Sequence, residues 1–339
     1  MPVYNRSEMV AQMIDSIIAN DFTQWELIAV DDGSDEETLS MLGDYCEKDE
    51  RISVVRRNET PKGPLTCRNI GFRQAVGEYV VFFDSDDYVT PVCLRNRVGC
   101  MDAHPELDFM VFPAGEYADG RIDTESVVYA YGYRIHTDDI AAFASRILPF
   151  VVWSNIYRRD SLTDNGIKWD TGLQSLEDAD FNMQSILAGL KYDYVLTAPD
   201  YGYRIRENSS SLSKQMSKHY DSHIHALDKT YCMIRTSYGN RYDRELFEGL
   251  MTVFTMVGRD GYNPDFIGQL RLLLHKYDVS RERVFLRMMK RIRILSRLLP
   301  EQRSRQLATF RYLLLYVWRL KVLKPYRIKK MVHNHSNNI

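Results

Sequence analysis

Three acidic clusters are the residues best placed to do chemistry. Asp84-Ser85-Asp86-Asp87 follows the apolar run Tyr79-Val80-Val81-Phe82-Phe83, and Asp31-Asp32 follows Glu26-Leu27-Ile28-Ala29-Val30. Carboxylates crowded onto one loop repel one another unless a cation neutralises them. Mg²⁺ and Mn²⁺ are hard cations that prefer oxygen ligands and bridge to phosphates, so an Asp-rich loop after a buried strand points to a metal–diphosphate site. The competing reading is that Asp and Ser cap the next helix, with Pro91 in its first turn. Both roles fit one loop. The third cluster, Glu177-Asp178-Ala179-Asp180, opens a helix expected over Phe181–Leu190. The helix dipole favours acidic side chains there, and a general base presented from a first helical turn needs the same residues. Spacing alone leaves both readings open.

The elements that must hold these clusters follow from periodicity. Val10, Met13, Ile14, Ile17 and Ile18 form the apolar stripe of a helix packed on a sheet. Glu26–Val30 and Ile52–Val55 read as strands, and Ser34 with Glu37 reads as a capping box that starts a helix running to about Cys46. A polar loop, Asn58–Pro64, leads into a helix through Arg68 to Ala75, and Gly77 precedes the buried strand Glu78–Phe83. Strands alternating with helices imply βαβ crossovers and a mainly parallel sheet, hence an α/β domain. Strand-like runs at Asp108–Phe112, Val151–Tyr157, Tyr192–Thr197 and Tyr201–Arg206 surround the helix near Glu177, and from about residue 215 the pattern is mostly helical.

Composition narrows the class. The 339 residues are 45% hydrophobic and 27% charged, which excludes a disordered chain. A formal net charge of −2 conceals an asymmetry: after residue 280 sixteen Lys and Arg face only Glu282 and Glu301, so the tail carries +14 and the rest −16. Five cysteines without a C-x-x-C pair argue against a disulfide framework or zinc site and suit a reducing, cytoplasmic compartment. Met1-Pro2-Val3-Tyr4-Asn5 opens the chain with no signal peptide pattern, and the most apolar late stretch, Leu307–Leu323, is broken by Arg311, Arg319 and Lys321. P-loop and dinucleotide fingerprints are absent. His223 and His225, at i and i+2, fall on different helix faces and suggest no metal site. Trp153 and Trp169 read as core aromatics rather than sugar-stacking platforms.

Taken in order, these residues closely resemble the inverting family 2 glycosyltransferases of the GT-A fold. The match runs through Pro2-Val3-Tyr4-Asn5-Arg6, Glu26–Ser34, Arg68-Asn69-Ile70-Gly71, Gly77-Glu78-Tyr79 and Phe83–Asp87, then Glu177-Asp178, Tyr203–Arg206 and Ser209–Ser213. It spans residues 1–213. The resemblance implies a GT-A domain over 1–213, with a nucleotide-binding half over 1–104 and an acceptor half over 105–213. Residues 214–339 would form a helical, basic C-terminal extension. It implies that Pro2, Val3, Tyr4 and Asn5 line the nucleotide base pocket, and that Asp32, with Asp31, accepts a hydrogen bond from uracil. Arg68 would approach the nucleotide. Asp84 and Asp86, with Ser85 between them, would form the D-x-D motif: Asp84 toward the ribose, Asp86 on a Mn²⁺ or Mg²⁺ ion. Asp178 would be the catalytic base and Glu177 its neighbour. The family also has a hydrophobic strand before Pro-Val-Tyr-Asn, which this chain lacks; its loss is expected to expose apolar edge and backbone donors.

The activity so implied is transfer of a sugar from a nucleotide-sugar donor, a UDP-sugar first, to a hydroxyl of a glycan or lipid-linked acceptor in surface polysaccharide synthesis. Two rivals stand beside it. A polyprenyl-phosphate sugar synthase shares the motifs, but its acceptor phosphate is already ionised and needs no base. A non-catalytic module would keep a nucleotide pocket and work through its basic tail. That tail, 281–330, either lies on an anionic bilayer, making the chain peripheral to the cell membrane, or packs on the body with its basic face in water. No nucleic-acid-binding motif accompanies the charge, so nucleic acid is not an expected partner.

Overall fold

The structure, a computed structural model, describes residues 1–118, 120–123, 131–134, 138–204, 220–258 and 264–277. It begins with a parallel sheet in the order β1 (Pro2–Val3), β2 (Leu27–Asp31), β3 (Ile52–Arg56). Helices α1 (Ser7–Ile18), α2 (Glu36–Lys48) and α3 (Pro64–Gln74) alternate with these strands, as periodicity predicts. The α1 stripe Val10, Met13, Ile14 and Ile17 is buried. On α3, a Cβ at Gly71 would stand 3.3 Å from Val30 Cγ2, so the glycine lets the helix sit close on β2.

Beyond this sheet come β4 (Tyr79–Val80), β5 (Tyr88–Val89), α4 (Cys93–Ala103), β6 (Phe109–Val111), β7 (Ala114–Ala118), β8 (Arg121–Asp123) and α5 (Asp139–Ala144). They are followed by a 3-10 turn (Val152–Ser154), β9 (Asn155–Arg158), α6 (Arg159–Asp164), α7 (Glu177–Leu187), β10 (Tyr192–Tyr194) and β11 (Tyr201–Arg204). Two four-stranded sheets form, β10-β6-β9-β4 and β5-β11-β7-β8. Both are mixed rather than mainly parallel: β9 runs antiparallel to β4 and β6, and β5 antiparallel to β11. Helices α8 (Tyr220–Tyr238), α9 (Asp243–Gly258) and α10 (Pro264–Lys276) complete the described chain.

The segment Tyr79–Phe83 shows how the site is delivered. Only Tyr79 and Val80 pair as a strand, yet Phe82 and Phe83 are both buried, at 5% and 4% exposure. Their side chains enter different cores, as neighbours on extended backbone do. Phe83 joins Val3, α1, Trp153 and Tyr201, whereas Phe82 joins Trp169, Phe181 and the helices α8 and α9. Asp84 is therefore held at the seam between two cores. Ala226, Leu227, Tyr231 and Ile234 of α8 belong to the same core as Phe82, so this helix packs directly on the domain that carries the acidic loops.

One sequence expectation resolves differently. The capping box does not form: Asp35, not Ser34, caps α2 by accepting from Thr38 N at 2.9 Å. Ser34 Oγ instead accepts from Asn5 N at 2.9 Å, and Glu37 accepts from Ser7 Oγ at 2.6 Å. Long-range partners from the β1–α1 turn thus took both residues. At the chain start, the Met1 amino group donates to Ile28 O at 3.0 Å, and Val30 N donates to Met1 O at 2.8 Å. Val3 is 1% exposed, so its apolar side chain is covered. Burial and the nearby Arg68 charge lower the Met1 amine to about 5.

Candidate active site

The predicted residues gather at the carboxyl ends of β1, β2 and the Tyr79–Phe83 segment, where ligands of open α/β sheets bind. In β1, Pro2 and Val3 pair with Val30 and Asp31 of β2. Asn5 and Arg6 follow with φ of 54° and 70°, left-handed values that non-glycine residues adopt only where their surroundings hold them. Asn5 Oδ1 accepts from Asp35 N at 2.9 Å. Tyr4 is 50% exposed, and Lys62 Nζ lies 3.8 Å from its ring centroid, so one face of the ring carries a cation.

Asp31 and Asp32 are both buried but differ in partners. Asp31 accepts from Gly33 N and Ser34 N, at 3.2 and 2.9 Å, and so shapes the turn after β2. Asp32 pairs with Arg57 Nε and accepts from Gly63 N at 3.3 Å. Arg57 was not among the expected site residues; its position one residue beyond β3 is the signal that would have found it.

None of the Asp84–Asp87 carboxylates caps α4, whose N-cap is Val92 with no side-chain bond. The capping reading of that loop therefore fails. Asp84 pairs with Arg68, and Asp86 Oδ2 lies 3.1 Å from Arg6 Nη1. Ser85 stands half-buried between them. Asp87 turns inward instead. Its carboxylate accepts from Tyr201 Oη at 2.6 Å and from Arg204 N at 2.8 Å, while Arg204 Nε donates to Asp86 O at 2.8 Å. Burial and the two neighbouring carboxylates push the Asp87 carboxyl well above its ordinary range. Asp87 and Arg204 thus tie the D-x-D loop to β11. Arg206 and Ser209–Ser213, also part of the resemblance, lie outside the described residues.

Arg68 is the hub. It is 7% exposed, its guanidinium lies 4.4 Å from the Trp169 ring centroid, and Nε and Nη1 have no hydrogen-bond partner. Its charge is felt by Asp84, Asp178 and Glu177, which together hold its pKa above the ordinary arginine value. Trp169 itself is 2% exposed and stacks on Phe181, so it is a core residue that also walls the site; Trp153 is likewise buried, against Tyr201 and Tyr203.

Asp178 sits in the first turn of α7, after Leu176 at φ 64°. Its Oδ1 is buried without a hydrogen-bond partner, and its other stabilising contact is the Val152 backbone N–H. Burial, then repulsion from Glu177 and Asp84, raises its carboxyl to about 7, against the lowering pull of Arg68 and Val152. A carboxylate that takes up a proton near neutral pH is matched to general-base work.

Among the described residues no three His, Cys, Asp or Glu converge as a metal cage. Two carboxylates on one loop nevertheless suit Mg²⁺ or Mn²⁺, which take one or two from protein and complete their shell with phosphate and water. Asp84 and Asp86 are ion-paired with Arg68 and Arg6, so a divalent ion would share or displace those partners at the two carboxylates. The donor set fits. The two histidines play no part in it: His223 is buried against Ser175, and His225 faces Asp170 from α8.

The sequence profile of glycosyl transferase family 2 matches residues 1–165. This part of the chain belongs to that family. The chain is also 29% identical over 215 residues to the Staphylococcus aureus poly(ribitol-phosphate) β-N-acetylglucosaminyltransferase TarS, covering 63% of this chain and 36% of TarS. It is 26% identical over 220 residues to the Bacillus spizizenii poly(ribitol-phosphate) β-glucosyltransferase, covering 63% and 33%. The chain thus spans about a third of the length of these curated relatives. In three dimensions it superposes on the 1–349 portion of S. aureus TarS bound to UDP with a TM-score of 0.65 at 20% identity, covering 88% of this chain and 90% of that one. The UDP-GlcNAc complex of the same portion gives 0.64 at 22%, covering 96% and 91%. The fold is GT-A.

Proposed function

We propose that the chain is an inverting glycosyltransferase that moves a sugar from a UDP-sugar to a hydroxyl of a surface-polymer acceptor, with Asp178 as general base. The observation that carries this reading is the Asp178 carboxyl: half-buried as a residue, its Oδ1 buried and unpartnered, tuned to about 7, and in the same charged cluster as Arg68 and Asp84. The relatives support the donor and acceptor classes, since TarS is a poly(ribitol-phosphate) β-N-acetylglucosaminyltransferase and has been crystallised with UDP-GlcNAc. UDP-GlcNAc and poly(ribitol phosphate) are accordingly the first pair to assay.

In this reading Pro2–Asn5, Asp31 and Asp32 hold the base end of the nucleotide, and Arg68 and Asp84 hold its ribose–diphosphate end. Asp86, with Asp84, would hold a divalent cation, which supplies Lewis-acid stabilisation of the departing diphosphate. Asp178 accepts the acceptor hydroxyl's proton as its oxygen bonds to the anomeric carbon and the bond from that carbon to the diphosphate oxygen breaks. One displacement inverts the centre, and the proton ends on Asp178. An ionised acceptor phosphate would need no such base, so the tuning of Asp178 favours a hydroxyl acceptor over a polyprenyl phosphate.

Asp178→Asn is expected to lower the rate of UDP release from UDP-GlcNAc with poly(ribitol phosphate) by roughly 10²- to 10⁴-fold, the usual worth of general-base catalysis. Retention of more than a tenth of wild-type turnover would remove Asp178 from that role. The basic stretch 281–330 lies outside the described residues, and among the described residues no helix is long and apolar enough to cross a membrane. We assign 281–330 to peripheral contact with an anionic membrane face. Equal partition of the full chain and a 1–280 truncation onto phosphatidylglycerol liposomes would remove that assignment.

A further inference from the structure

We infer that Lys229 is a positioning residue for Asp178: from helix α8 it clamps both ends of the segment 170–180 that presents the carboxylate. The inference rests on the reading of Asp178 as the base. Lys229 Nζ lies 2.8 Å from Asp180 Oδ2 and 2.9 Å from Asp170 Oδ2. Asp180 stands two residues after Asp178 in the first turn of α7, with its side chain 4% exposed, and Gln184 Nε2 donates to the same Oδ2 at 2.7 Å. Asp170 opens the loop that leads to α7, and its Oδ2 also faces His225 Nε2 at 3.2 Å.

Between these two anchors α8 holds the loop twice more. Gln174 N donates to Ser222 Oγ at 2.7 Å, and Ser175 Oγ lies 3.1 Å from His223 Nδ1. The loop ends at Leu176 in the left-handed region, a conformation that a leucine keeps only when its neighbours impose it. Asp178 has little of its own to fix its aim, since Oδ1 is unpartnered. Its direction is set by where the first turn of α7 is pinned, and the pin of greatest charge is Lys229. A base displaced by about 1 Å loses on the order of 10²-fold in rate. Removing the ammonium leaves the buried Asp180 without its counter-ion, which drives that side chain, and the turn with it, toward water.

The test uses the full chain. Lys229→Met keeps the aliphatic stem and is expected to lower kcat for UDP release from UDP-GlcNAc with poly(ribitol phosphate) at least tenfold, with Kd for UDP changed less than twofold. Lys229→Arg is expected to recover kcat to within threefold of wild type. Lys276→Ala breaks another ion pair on α8, Lys276 with Asp228 at 2.8 Å on the exposed side, and is expected to leave kcat unchanged. A second readout needs no turnover: at pH 8 the gain in Tm from Asp178→Asn should be less than half as large in the Lys229→Met background as in wild type, because the two sites are coupled. Wild-type kcat in Lys229→Met, or additive Tm changes, would overturn the inference. A wild-type chain that fails to consume UDP-GlcNAc strikes at the donor assignment instead, and the Tm cycle then decides on Lys229.

Discussion

Replacing Asp178 by Asn should make the protein more stable at neutral pH while it loses turnover. A carboxyl whose ordinary value is 3.8 titrates at about 7 in the folded chain. The unfolded chain therefore gives up this proton near pH 4, whereas the folded chain keeps it until about pH 7. Over that interval the folded state binds more protons, so the Asp178 contribution to stability falls as pH rises. At about 1.4 kcal/mol per tenfold, the penalty grows from under about 1 kcal/mol at pH 4 to about 4 kcal/mol at pH 8. Asn keeps the shape and an acceptor for Val152 N–H but carries no charge. The measured gain of Asp178→Asn should thus be near zero at pH 4 and between about 2 and 4 kcal/mol at pH 8. The comparison must be made mutant against wild type at each pH, because other groups titrating between about pH 4 and 8 contribute trends of their own that cancel in the difference. Urea unfolding at both pH values reads the difference. A mutant equal to or weaker than wild type at pH 8 would refute the claim that Asp178 is held in an environment hostile to its charge.

Further outcomes follow from the same cluster. The Arg68 charge lowers the Asp178 carboxyl, so in Arg68→Gln the acidic limb of the rate profile should move to higher pH from a wild-type midpoint near 7; an unmoved limb would show that the two groups do not communicate. Arg97 and Asp200 form a buried bidentate pair, with Nε and Nη2 at 2.9 and 2.7 Å from the carboxylate oxygens. Asp200→Ala leaves a guanidinium at 0% exposure unpaired, and urea unfolding should show a loss of about 3 to 5 kcal/mol.

The alternation of helices and strands from α1 to β4 and the location of the three acidic clusters could be read from the sequence because each is a local pattern, whereas the short strands β1 and β5 were not. Apolar periodicity marks α1, a β-rich run marks β2, and acidic residues mark the ends of strands. Partner choice across the fold could not be read in this way. Ser34 and Glu37 have the spacing of a capping box, yet Asn5 and Ser7 claim them, thirty residues away in the chain. Asp86 and Asp87 look alike in sequence; the first faces Arg6 at the surface and the second is buried under Tyr201, more than a hundred residues later. The brevity of β4 was hidden too, since Val81–Phe83 are as apolar as a strand but are fixed by burial between two cores rather than by a ladder. Helix α8, read only as part of a helical extension, packs beside the candidate base because its apolar face completes the core around Phe82.

The most direct measurement is isothermal titration of UDP into the full chain and into Asp86→Ala, with and without Mn²⁺. UDP binding that strengthens with Mn²⁺ in the wild-type chain and loses that strengthening in Asp86→Ala is the expected result. Absence of UDP binding, or binding indifferent to both Mn²⁺ and Asp86, would contradict a nucleotide-diphosphate site built on the Asp84–Asp86 loop.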